Sequence, residues 1–269
     1  MQRAVLLMSA LVVAAGCSES SSIVAANESR ARFDIGVGES VNSASAAIGR
    51  VLPAAYQNTM GDVNNSFPHA AANMRYQQVF LGSELTGTDR ITGLCLRHDE
   101  LFGGRELTEN LTVKLGPTSM DNTNLGTTFD DNYSAPPTEV FSGSVVIPAT
   151  TGEGTPDMFD FCVDFSTEYL HPAGANLIVE IVNSTATTRT HPKDACSGAN
   201  AGCTTRRVVA FSATASTASI ADNMGLIMAF LSADPTEKVD CTEGKWADYG
   251  FRNQGQCIRF VNTEKDSRQ

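Results

Sequence analysis

Phe159-Asp160-Phe161-Cys162-Val163-Asp164-Phe165 alternates large apolar side chains with polar or small ones. A period of two sends successive side chains to opposite faces of an extended chain, so the stretch reads as a strand with one buried and one wet face. Leu111, Val113 and Leu115 alternate with Thr112 and Lys114 in the same way. Working outward, runs rich in β-branched and aromatic residues predict strands over 75–81, 90–97, 110–115, 139–147, 158–165, 176–183, 206–212 and 225–231. Turn formers lie between them: Gly82-Ser83, Gly87, Gly103-Gly104, Asp130-Asp131-Asn132, Pro136-Pro137 and the stretch 152–156. These eight strands, with no long helical period, predict an all-β fold. The expected form is an antiparallel, jelly-roll-like sandwich.

The chain has 269 residues, of which 42% are hydrophobic and 18% charged. That is apolar enough for a packed core and too sparsely charged for a disordered acidic protein. Nineteen Lys and Arg stand against thirty Asp and Glu, a net charge of −11. Such a balance argues against nucleic acid and against an anionic lipid surface held by charge alone. No Gly-rich loop leads from a strand into a helix, so nucleotide binding has no support.

The amino end decides the compartment. Arg3 precedes a mostly apolar run over 4–15, too short to span a bilayer comfortably, and the pattern is that of a secretory signal. Ala14-Ala15-Gly16-Cys17 resembles the lipobox of bacterial lipoproteins, with Ala14 where Leu is commoner. The resemblance implies cleavage after residue 16 and lipid attached to the Cys17 thiol; Ser18 in place of Asp implies the outer membrane or cell surface. Cleavage removes one Arg and no acid, so the mature charge is 18 − 30 = −12. Membrane attachment then rests on the acyl chains.

Seven cysteines are present: Cys17, Cys95, Cys162, Cys196, Cys203, Cys241 and Cys257. Giving Cys17 to the lipid leaves six for an oxidising compartment, which allow 15 pairings. Local spacing favours Cys196–Cys203 and Cys241–Cys257, leaving Cys95–Cys162. A C-x-x-C knuckle is missing and the four histidines are scattered, which disfavours zinc. The expected organisation is a signal over 1–16, a lipidated cysteine with a Ser/Asn-rich tether over 17–50, a sandwich over 51–236 and a Cys-bridged element over 237–269. Residues 43–51 are compatible with a short helix.

Several motifs between about residues 52 and 234 resemble a secreted bacterial β-sandwich domain found in proteins that carry a PEP-type sorting anchor. They are Asn58-Thr59-Met60-Gly61, Asn65-Ser66-Phe67-Pro68, Arg75-Tyr76-Gln77-Gln78-Val79-Phe80, Ile91-Thr92-Gly93-Leu94, the stretch 121–129, Val140-Phe141-Ser142-Gly143, the stretch 172–180 and Gly225-Leu226-Ile227. The resemblance implies fold and export, not an activity. The tail, Cys241 followed by Gly244-Lys245-Trp246 and Phe251-Arg252-Asn253-Gln254-Gly255-Gln256-Cys257, is similar to a short element on assorted secreted prokaryotic proteins, with an apolar strand expected after Cys257. Trp246 is expected to fill its small core beside Phe251; the alternative is a ligand-stacking platform.

Catalytic sets are not apparent. No Gly-x-Ser-x-Gly elbow occurs, and His98-Asp99-Glu100 reads as a polar turn. Asp121, Asp130, Asp131, Asp157 and Asp160 lie in or near loops and read as solvated turn acids, with no cofactor expected; the alternative is that they hold a structural calcium ion, although the EF-hand spacing is missing. Tyr133 and Trp246 are the candidate ligand aromatics. The reading is a non-catalytic surface lipoprotein serving adhesion, envelope structure or partner binding. The alternatives are a glycan-binding module and an enzyme with a histidine beside a carboxylate in a cleft, His98 or His69 being the candidates.

Overall fold

The structure is a computed structural model describing residues 47–69, 72–85, 90–99, 101–151, 159–185, 191–232, 235, 238–244, 246, 249 and 251–263. The signal, Cys17, most of the tether, Glu100 and Asp157 lie outside the described residues. Thirteen strands are described: β1 (Ala47–Leu52), β2 (Val63–Asn65), β3 (Met74–Phe80), β4 (Arg90–Leu96), β5 (Leu107–Thr118), β6 (Thr138–Ile147), β7 (Phe161–Leu170), β8 (Asn176–Asn183), β9 (Lys193–Ser197), β10 (Arg206–Ala210), β11 (Ile220–Asp222), β12 (Met224–Leu226) and β13 (Met228–Ser232). One helix, α1 (Gln254–Thr263), follows them. The strands pair antiparallel in three sheets, ordered β1-β13-β4-β7, β11-β10-β3-β8-β5-β6 and β12-β9-β2.

The main core lies between the four-stranded and six-stranded sheets. Leu94, Leu96, Phe161, Val163, Met228 and Phe230 come from one side, and Met74, Tyr76, Phe80, Val113, Val179 and Ile181 from the other. Phe80 and Phe230 meet edge to face across it, ring centroids 5.4 Å apart. The six-stranded sheet is buried on its outer face as well. There Val79, Ile178 and Val208 pack against Leu125 and Phe129 from the long β5–β6 loop. Burial on both faces is why β8 reads Leu177-Ile178-Val179-Glu180-Ile181-Val182 without alternation. The third sheet and its loops cover the outer face of the four-stranded sheet, where Tyr56, Cys196 and Cys203 pack on Val51, Ala229 and Leu231.

The sequence predicts eight strands; β2, β9 and β11, which it does not anticipate, are three to five residues long, too short to declare a period. Residues 47–52, compatible with a helix, form an edge strand because β13 offers an unpaired neighbour. The expected strand over 225–231 is two strands that part at Ile227. Buried Gln78 holds the Leu226 backbone from both ends, accepting from its N–H at 2.8 Å and donating to its carbonyl at 2.9 Å. The clamp passes the chain from the third sheet into the first. In the stretch over 159–165, Phe161, Val163 and Phe165 share the inner core, but Phe159 packs on the opposite side, because β7 begins only at Phe161.

All six remaining cysteines are paired, as Cys95–Cys162, Cys196–Cys203 and Cys241–Cys257. Cys95 and Cys162 stand opposite one another on β4 and β7, with Cα atoms 4.0 Å apart, so this bridge staples an edge strand. In the tail, residues after Cys257 form α1 where an apolar strand is expected. Asn253 caps it: its Oδ1 accepts from the Gln256 N–H at 2.9 Å, while Gln256 Oε1 accepts from the Arg252 N–H at 3.1 Å. Trp246 packs half-buried with Cys241, Tyr249, Phe251 and Cys257.

A helix of ten residues is marginal alone. The Cys241–Cys257 bridge, across a separation of 16, contributes about 3 kcal/mol by the chain-entropy argument. Replacing both cysteines by Ser is expected to strip hydrogen-exchange protection from the α1 amides while those of β3 and β8 keep theirs. Unchanged protection in α1 would mean that packing alone holds the tail.

Candidate functional site

The outer face of the six-stranded sheet opens as a cleft of about 380 Å³ between β3, β8, β5 and the loop that follows β5. Its lining includes Arg75, Lys114, Asp130, Tyr133, Pro137 and Glu180. Pairing registers set the floor. Glu180 on β8 lies opposite Gln77 on β3 and opposite Lys114 on β5, so the three side chains project to one face. Gly116 leaves room above β5 for Tyr133, since a Cβ there would lie 2.6 Å from the ring.

Glu180 is fully buried, and its two oxygens are treated unequally. Oε2 accepts from Gln77 Nε2 at 2.5 Å, Arg75 Nη2 at 3.0 Å and the Tyr133 hydroxyl at 3.3 Å. Oε1 has no hydrogen-bond donor; Lys114 Nζ stands 4.0 Å away. A buried carboxylate is tolerated only with such partners. Arg75 also donates to Asp130 at 2.7 Å and to the Ala215 carbonyl at 2.9 Å, and its guanidinium lies 4.5 Å from the Phe129 ring centroid. Burial pulls the Arg75 pKa down, but its bonds to Glu180 and Asp130 win and raise it. Burial first, then the Glu180 charge, pushes the Tyr133 hydroxyl well above its ordinary range, so it acts as a donor.

Of the described acids considered for calcium, only Asp130 reaches this cleft, as the partner of Arg75. Asp121 instead holds its own turn, accepting from the Thr123 N–H and hydroxyl at 2.7 and 2.6 Å, which lowers its pKa. Asp131 is exposed, and Asp160 pairs with His98. Among the described residues no group of three or more His, Cys, Asp or Glu side chains is placed to hold a metal ion. Tyr133 and Trp246 are not brought together; Trp246 belongs to the tail core.

A second arrangement was illegible in the sequence. Three of the four histidines, His69, His98 and His191, gather around Lys193, which is wholly buried. His191 Nε2 donates to the Pro148 carbonyl at 2.8 Å, so Nδ1 is free to accept from Lys193 Nζ at 3.2 Å. Lys193 also lies 5.3 Å from the Phe161 ring centroid, and His69 meets that ring edge-on. His69 Nδ1 pairs with Glu109, whose other oxygen accepts from Asn183 at 3.0 Å. His98 pairs with Asp160 through Nδ1 at 2.7 Å. Both histidines named in the enzyme reading therefore stand beside a carboxylate, but both are buried and neither lines the cleft. Instead of forming only a turn, His98 bridges to the backbone of Lys193.

No family model matches the sequence, and the search of curated proteins found no match.

Burial holds the Lys193 amine down to about 8, with Asp160 and Glu109 opposing. The unfolded chain keeps this proton up to about pH 10.4, so between pH 8 and that point it binds more protons than the folded chain. Stability then rises with pH across the window, by at most ~3 kcal/mol from this group. Above about pH 10 the hydroxyls of Tyr76, Tyr133 and Tyr169, all pushed up chiefly by loss of water around them, reverse the trend. Urea unfolding of a Lys193→Met variant is expected to lose the rise between pH 8 and 10. A wild-type profile flat over that range would contradict the assignment.

Proposed function

We propose that this chain is an exported, lipid-anchored binding protein whose sandwich presents its cleft outside the cytoplasm. One observation carries the reading: six cysteines pair among themselves, leaving Cys17 as the odd thiol. Three disulfides suit an oxidising compartment, and a single remaining cysteine directly after a small-residue stretch suits lipid attachment. Among the expected roles, adhesion, envelope structure, partner binding or glycan binding fits better than chemistry. The polar cleft is open, whereas both histidines of the His–carboxylate pairs are buried.

The fold reading supports this role by analogy. Taking β1, β3, β4, β5, β6, β7, β8 and β13 as eight principal strands, their orders are 1-8-3-6 in one sheet and 2-7-4-5 in the other. We read that arrangement as a jelly roll, with β10 and β11 added at one edge and the third sheet as an elaboration. Jelly rolls serve in lectins and capsids, among other roles, so the analogy favours binding without naming a ligand.

Expression of the full chain in a bacterial host fed an alkyne palmitate analogue tests the proposal. The wild type is expected to label, partition with membranes and show no free thiol on denaturing titration, and Cys17→Ala to lose the label. Label retained in Cys17→Ala, or an unlabelled wild type, would overturn it.

A further inference from the structure

The cleft contains an uncompensated pair of opposite hydrogen-bonding character. Glu180 Oε1 accepts only, is buried and has no donor; Lys114 Nζ donates only and lies 4.0 Å from it. A gap of that length is too long for a direct hydrogen bond and suits one atom bridging both. That atom must accept from the ammonium and donate to the carboxylate, which a hydroxyl does through a single oxygen. The alternatives fail on charge. An ammonium would satisfy Glu180 but face Lys114, and a carboxylate or phosphate would satisfy Lys114 but lie against bare Glu180 Oε1 and beside Asp130.

The rest of the lining fits a hydroxylated ring. Two cations, Arg75 and Lys114, balance two anions, Asp130 and Glu180, so the cleft carries no net charge to select an ion. Arg75 is already occupied by Glu180, Asp130 and the Ala215 carbonyl. Pro136, Pro137 and the Tyr133 ring supply apolar surface beside the polar pair. At about 380 Å³ the volume is near the lower end of the range small-molecule sites occupy.

We propose that this cleft binds a neutral saccharide, one of whose hydroxyls bridges Lys114 Nζ and Glu180 Oε1 while the ring lies against Tyr133 and the two prolines. The inference rests on the reading of the chain as a binding protein and gives that reading a ligand class.

The test applies the detergent-solubilised mature protein to one array carrying neutral, sialylated and sulfated oligosaccharides. Binding to neutral saccharides is expected, weakened roughly ten-fold or more by both Glu180→Gln and Lys114→Met. Thermal melting of each variant checks folding; Lys114 is partly exposed, so Lys114→Met decides the matter if Glu180→Gln does not fold. Binding restricted to sialylated or sulfated glycans, neutral binding indifferent to Lys114→Met, or no binding to any of them would each overturn the proposal. None of these results alters Cys17 labelling, so failure of the saccharide inference and failure of the lipoprotein reading are told apart.

Discussion

Burial of strand β8 on both faces is the constraint from which most of this architecture follows. Its inner side chains, Leu177, Val179 and Ile181, belong to the sandwich core, and Ile178 on its outer side is roofed by Leu125 and Phe129. The roof is built from the long connection after β5, which must therefore fold back across the sheet instead of running directly into β6. Once that cover exists, any polar group on the outer face of β8 loses water and has to find partners inside the protein. Glu180 does so through Gln77, Arg75 and Tyr133. The cleft is the place where the roof stops and the supply of internal partners runs out.

The parts of the fold that were legible in the sequence are those with a pattern of their own. The sequence bounds residues 176–183 correctly, and β3, β4 and β6 within a residue or so, because each is seven residues or longer and carries β-branched or aromatic side chains. The third sheet was legible only in β12, and there only as the start of a longer strand; β2 and β9 gain their extended conformation from their neighbours in it. Helix α1 had a readable start in Asn253 and Gln256, but its apolar residues, Ile258, Phe260 and Val261, are equally compatible with a short strand.

Functional side chains were legible only where they broke a pattern. Glu180 interrupts an apolar run on the outer, roofed side of β8, and Glu109 shares the phase of Leu107, Leu111 and Val113, so each is a carboxylate in a position that is otherwise apolar and buried. A carboxylate so placed signals a buried partner but does not say which residue supplies it. His69, Glu109, Asn183 and Lys193 are far apart in the chain and meet through pairings of β2, β5, β8 and β9 that no local pattern fixes. The turn acids show the opposite outcome. Their composition left a shared ion as the alternative to solvated turns, whereas the backbone distributes Asp121, Asp130 and Asp160 to three separate hydrogen-bonding tasks.

Pairing of β1 with β13 has a consequence for assembly. The earliest strand of the sandwich waits for the last, 181 positions later counting from Ala47 to Met228, before either of its edges is occupied. Contacts of such sequence separation close slowly, and no amino-terminal fragment can complete the sheet by itself. Strands β3 to β8 meet all their mutual pairing partners once Asn183 has been added, whereas β1 stays without a neighbour until Met228–Ser232 follows. The first strand of the sandwich is therefore the last to be locked in place.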